Sequence, residues 1–294
     1  MLKEDFIFPP PPERPMSVLA LIALGFQTYK SSFGFCCKLL WFPFVLFLAA
    51  ELPGTFLSDY SLQLDNLPKL GGVFLWWALF GTLGLWNLVL RLTAIKRMAL
   101  TPALEFVPAI AFANRLGWKA FVIRLATMFF QISSVVAVIM AGCIYWTVKP
   151  GLSIPFVAFA AVLVVLSYFG YFWSEFFNAC FSVLLVTERS EWKFLLKRSL
   201  SMTKRAFLRG CNFSFAMEFL LVFASICLSP MIMLSAFQLT VHGFAGYADS
   251  ETPLWISVAD DFVQLLVSLA IIPLVAIWYA YFVNDVRLRL KSHN

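Results

Sequence analysis

Apolar residues run along this chain in six long blocks separated by short polar stretches. Roughly 20 consecutive apolar residues cross a bilayer as a helix. The blocks at 33–57, 71–95, 121–146, 154–186, 207–239 and 254–283 all reach that length. Aromatic residues mark their edges, with Trp76 and Trp77 at one interface of the second block and Tyr145 and Trp146 closing the third. The fourth block is longer than a crossing requires and must tilt, bend or project. In the fifth, Pro230 predicts a kink. A polar loop at 58–70, a tight turn at 149–151 and a loop at 240–253 with His242, Asp249 and Glu251 connect the blocks at one end.

Between the fourth and fifth blocks the period changes. Over residues 187–210, Trp192, Leu195, Leu196, Ser199, Met202, Thr203 and Ala206 recur at steps of three and four. Lys193, Lys197, Ser201 and Lys204 fall on the opposite side, so the stretch predicts an amphipathic helix. Ser190 is the expected N-cap, with Glu191 in the first turn. Apolar on one face and cationic on the other, such a helix is suited to lie along a membrane surface.

Two further segments resemble it. Residues 16–30 and 102–118 are short, amphipathic and placed just before an odd-numbered block. Lys30 and Phe33, Arg115 and Trp118, and Lys204 and Phe207 repeat a basic residue, two spacers and an aromatic. Asn87, Asn178 and Asn284 echo one another near the same end of the even blocks. The pattern predicts three approximate repeats, 16–97, 102–187 and 190–290. The expected architecture is all-α: six transmembrane helices in three hairpins, each preceded by an interfacial amphipathic helix. Residues 1–15, rich in proline, form a stiff extended tail before this single membrane domain at 16–294.

Composition agrees with the pattern. Of the 294 residues 61% are hydrophobic and 13% charged, with a mean hydropathy of +0.85. A soluble domain carries roughly 25% charged residues. The net charge of +6 would suggest nucleic acid in a soluble protein, but here its distribution points to membrane topology instead. All of the 22 basic residues except Lys69 and Lys149 fall on one set of connections. The positive-inside rule therefore predicts an even number of spans with both termini in the cytoplasm.

Chemistry-bearing motifs are sparse. The histidines are His242 and His293, and the sequence shows no zinc-protease helix, nucleophile elbow or phosphate-binding loop. The six cysteines lie in or beside apolar blocks, which predicts packing rather than a disulfide framework. No cofactor, no metal site and no catalytic residue is expected, and the chain reads as non-enzymatic. Glu175 and Glu218 fall inside apolar blocks, where a charge costs about 2.5–3.5 kcal/mol and usually faces a partner or a watery cavity. Glu175, Asn178, Asn212 and Glu218 are the candidate polar pocket. The plainer reading bonds each glutamate to a neighbouring helix as structural glue.

The basic residues set topology, and they also offer a surface to anionic lipid headgroups. The candidate contacts are Lys193, Lys197, Arg198, Lys204, Arg205 and Arg209, with Arg115 and Lys30 from the other two segments. These features suit a membrane protein that handles lipids or another amphiphile at the cytoplasmic leaflet. A secondary transporter using the intramembrane glutamates and a scaffold subunit of a membrane complex are the alternative readings. Membrane lipids are the expected partners, with a second copy or another membrane subunit alongside and no nucleic acid.

The stretch from Phe181 to Gly210, read as one unit, resembles a signature shared by several bacterial six-helix membrane families. In them an even-numbered helix leads into a segment of Ala-Leu, paired basic residues and Leu-Thr-basic. The chain end also resembles their closing helix, which finishes in Asp-x-Arg-x-Arg, here Asp285, Arg287 and Arg289. These families include the YciC-like proteins and the membrane domain of some glycerophosphodiester phosphodiesterases. The sequence departs from the pattern with Leu195-Leu196 in place of Ala-Leu, and an attached phosphodiesterase domain is not expected. The resemblance implies a six-helix architecture in a bacterial inner membrane and carries over no catalytic residue.

Overall fold

A computed structural model of the chain describes residues 11–56, 67–101, 106–147, 154–188, 191–229, 233 and 254–292. Among them are seven helices: α1 (Val18–Phe56), α2 (Leu67–Leu100), α3 (Phe106–Thr147), α4 (Ile154–Thr187), α5 (Trp192–Arg205), α6 (Phe207–Leu228) and α7 (Leu254–Ser292). Ser190, the turn at 149–151, the loop at 240–253 with its His242, and His293 lie outside the described residues, as do parts of the loop at 58–70 and of the proline-rich tail. All the helices but α5 are long and apolar enough to cross a membrane. The protein is an all-α polytopic membrane protein with six such helices.

Several expected boundaries move. Residues 16–30 do not form a helix of their own, because α1 runs unbroken from Val18 through Lys30 to Phe56. Nothing around Lys30 interrupts the backbone ladder. The hydroxyls of Thr28 and Ser32 bond back to the carbonyls of Leu24 (2.9 Å) and Thr28 (2.8 Å) along the same helix. Residues 106–118 are likewise the first turns of α3. The basic tail after residue 283 continues α7 to Ser292. α6 stops at Leu228, and Pro230, with the kink expected there, lies outside the described residues. Of the three expected surface helices, α5 alone is a separate element. It parts from α6 at one residue, Ala206, whose φ of -111 and ψ of 26 leave the helical region.

Helix length explains where the core sits. α1 and α7 have 39 residues each, roughly 58 Å at 1.5 Å per residue. A hydrocarbon layer is about 30 Å thick, so the helices extend well beyond it. They pack most densely at the end that carries the basic residues. Leu21, Ile95, Ala113, Leu184, Leu195, Ile277 and Tyr281 are all buried there in one cluster. Toward the opposite end, Phe129, Leu166, Phe223 and Leu266 are exposed. Lipid is as apolar as these side chains, so that exposure carries no hydrophobic penalty. α4 and α7 are the most enclosed of the six long helices and α2 the least.

Neighbouring helices are joined by polar stitches. The Trp76 indole donates to the Ala49 carbonyl at 2.7 Å between α1 and α2. Gln264 donates to the Ser225 carbonyl at 3.0 Å between α6 and α7. α7 also closes against α1, where the Trp278 indole donates to the Ile22 carbonyl at 2.8 Å and the Tyr281 and Thr28 hydroxyls pair at 3.0 Å. Tyr29 donates to the Ala270 carbonyl one turn before Pro273. Proline inside a membrane helix frees backbone acceptors nearby, and side chains from adjacent helices are the usual means of satisfying them.

Candidate functional site

α5 is amphipathic as its spacing predicts, but its apolar face does not lie on a membrane. Leu195, Ser199, Met202 and Thr203 are buried against the rest of the protein. The physical reason is that α4 and α7, with 34 and 39 residues, are longer than the roughly 20 residues a crossing needs, and their ends leave a surface needing cover. α5 supplies it. At its start Trp192 stacks on Trp118 of α3, with ring centroids 5.7 Å apart and planes at 4°. The same indole meets Phe181 of α4 edge-on at 5.2 Å. Glu191, not the first turn of the helix, occupies the N-cap position and makes no side-chain capping bond.

With the inner face used up, the outer face is cationic. Lys193, Lys197 and Lys204 are exposed and have no acidic partner among the described residues. Phe194 and Leu200 stand among them, the phenyl ring half exposed. Lys30 and Arg115 are exposed on α1 and α3. The remaining three expected lipid contacts divide. Arg209 is committed to Asp285 at 2.9 Å, whereas Arg198 and Arg205 turn toward α7.

There they meet residues whose role in a site the linear reading missed. A cavity of about 130 Å³ between α5 and the end of α7 is lined by Arg198, Ser201, Met202, Arg205, Arg287, Leu290 and Lys291. Glu188, just past α4, pairs with Arg198 at 2.7 Å and with Arg287 at 3.4 Å, fixing both side chains at the rim. Because α7 continues as a helix, the Asp-x-Arg-x-Arg motif separates by face. Asp285 and Arg289, four apart, pair at 2.9 Å on one side, while Arg287 and Lys291, also four apart, serve the cavity on the other. That i, i+4 spacing was the signal in the sequence, hidden by reading the segment as a tail.

Asp285 is fully buried and accepts three hydrogen bonds from three parts of the chain. Arg209 of α6 and Arg289 of α7 both reach Oδ2 at 2.9 Å, and the Met16 backbone N–H donates to Oδ1 at 2.7 Å. Arg289 then donates to the Met16 carbonyl at 2.7 Å. The motif thus ties the chain start, the head of α6 and the end of α7 together beside the cavity.

The intramembrane acids behave differently from one another. Glu175 is buried, ion-paired with Arg124 of α3, and accepts a second bond from Gln131 at 2.8 Å. Arg124 and Gln131 are seven apart and share a helix face, so both reach one carboxylate. Lys96 of α2, also buried, donates to Ser182 of α4 at 2.7 Å and stands within electrostatic range of Glu175. Glu218 is half-buried on α6, within electrostatic range of Glu175 and Arg124. Asn178 is half-buried and Asn212 is exposed. The structure therefore sets Glu175 and Glu218 within electrostatic range of each other, and it occupies Glu175 with a cation from α3.

Among the described residues no group of three or more His, Cys, Asp or Glu side chains is placed to hold a metal ion. Comparison of the chain with family models, with curated proteins and with solved structures finds no match.

Proposed function

We propose that this chain is an integral membrane protein that handles lipids or a similar amphiphile at the cytoplasmic leaflet of a bacterial inner membrane, with no catalytic centre of its own. In this reading the basic end and both termini face the cytoplasm, and the chain belongs with the YciC-like six-helix proteins. The observation that carries it is the outer face of α5, where Lys193, Lys197 and Lys204 are exposed beside Phe194 and Leu200. A helix whose apolar face is already covered by protein needs no cationic stripe to stay in place. Lysines at that height reach headgroup phosphates on flexible stems, and the exposed phenyl ring suits the boundary between headgroups and chains.

Each well-placed lysine adds about 1 kcal/mol of attraction to an anionic leaflet. Native mass spectrometry of the protein extracted from mixed bilayers tests the reading. Phosphatidylglycerol should be retained in several-fold excess over phosphatidylcholine, and a variant with Lys193→Gln, Lys197→Gln and Lys204→Gln should lose most of that preference. Equal retention of the two lipids by the unmodified protein overturns the proposal.

A further inference from the structure

The outer face of α5 is a diffuse charged surface. The notch between α5 and α7 is more specific. Arg198, Arg205, Arg287 and Lys291 converge on one small cavity, with Ser201 beside them and Met202 and Leu290 as its apolar walls. Glu188 is the carboxylate that pairs with these cations among the described residues, and it engages two of them, Arg198 and Arg287. Four cations against one carboxylate leave a local excess of about three positive charges in a space that apolar walls partly shield from water. Arg205 and Lys291 are exposed and have no acidic partner among the described residues. The Nε–H of Arg287 is buried without a protein acceptor. A guanidinium oriented by a carboxylate at one edge keeps its remaining N–H groups for a second anion.

Size and charge narrow the class. A carboxylate would satisfy one arginine and leave most of the excess charge in place. A phosphate group carries up to two charges and several acceptor oxygens in tetrahedral array, which suits donors arriving from two helices at once. We infer that the α5–α7 notch binds a terminal phosphate group, as presented by a phosphomonoester headgroup or by a soluble phosphate ester. Arg205 and Lys291 make the contacts free to form, Arg198 and Arg287 are oriented by Glu188, and Ser201 contributes a hydroxyl. The site deepens the lipid reading if its phosphate belongs to a lipid, but the notch itself does not depend on that source.

The full chain in nanodiscs tests this with two probes read by phosphorus NMR. One arm places phosphatidic acid in a phosphatidylcholine disc, with phosphatidylglycerol at matched surface charge as its control. The other adds glycerol 3-phosphate to a disc of phosphatidylcholine alone. Saturable binding of phosphatidic acid without a response to the soluble ester assigns the phosphate to a lipid, and binding of the soluble ester assigns it to a free metabolite. In either case Arg205→Gln with Lys291→Gln should weaken binding about thirtyfold, from the loss of two cationic contacts. Arg14→Gln with Lys38→Gln removes the same charge from exposed positions elsewhere and should leave binding within about twofold. Both replaced pairs are exposed, so the variants are expected to fold. Absence of saturable binding in both arms, or equal weakening by the two double variants, overturns the site. Retained preference for phosphatidylglycerol through Lys193, Lys197 and Lys204 would leave the broader lipid reading standing in that event.

Discussion

Asp285 shows how one buried carboxylate organises this protein. Its side chain is inaccessible to solvent, yet the arginines that meet it are each about a third exposed. Removing one partner of a buried ion pair costs about 3–5 kcal/mol, because the remaining charge is stranded. Here water can reach Arg209 and Arg289, which moves the expectation to the lower end. Asp285→Ala should destabilise the protein by about 3 kcal/mol, seen as a lowered midpoint in a thermal-denaturation series in detergent. Glu175 makes a parallel case inside the membrane. Glu175→Ala and Arg124→Ala should each destabilise strongly, and the double variant should lose less than their sum. The coupling expected from a double-mutant cycle is about 1–3 kcal/mol. Strict additivity would mean that the pair is not a unit and that Glu175 finds its stabilisation elsewhere.

Among the helices, α5 carries the clearest lesson about amphipathicity. Its spacing states that one face is apolar, and says nothing of whether lipid or protein covers it. The long helices decide this, since their ends stand above the apolar layer and offer α5 a surface before any membrane does. Trp192, held between Trp118 and Phe181, is the anchor. Trp192→Ala should cost about 3 kcal/mol and raise hydrogen exchange over Trp192–Arg205 while leaving the centre of α4 protected. The close approach of α6 to α4 rests on Gly210. A Cβ there would overlap the ring of Phe176, a fully buried side chain. Gly210→Ala is expected to destabilise by about 1–3 kcal/mol through overpacking, again read from thermal denaturation. A variant as stable as the parent would show that the helices can part at no cost.

The bundle as a unit is asymmetric. The basic end is a packed core of six long helices closed by α5, and the other end presents large apolar side chains outward. This division fits a chain whose polar contacts are concentrated on one side of a membrane. If both termini share that side, single cysteines introduced at Arg14 and Lys291, in a background with Cys36, Cys37, Cys143, Cys180, Cys211 and Cys227 replaced, should be labelled together. A membrane-impermeant maleimide should reach both in inside-out vesicles and neither in intact cells. Labelling of one terminus from each side would require an odd number of crossings and would refute the even topology.

The class, the apolar spans and the concentration of positive charge were legible along the chain, because they depend on composition and on a 3.6-residue period that neighbours cannot alter. Boundaries were less so. A lysine or arginine inside a helix that projects beyond the bilayer is indistinguishable in sequence from one outside it, so Lys30 and Arg115 read as parts of separate surface helices and Arg124 as part of a connection. They lie within continuous helices. Three-dimensional pairing was out of reach for the same reason. Glu175 meets Arg124 and Gln131, Asp285 meets Arg209, and Arg198 and Arg205 meet Arg287 and Lys291 only when separate helices pack side by side. A linear period specifies which side of a helix is apolar or charged. Which other helix that side faces is set by the packing of all of them at once, and the notch between α5 and α7 exists only at that level.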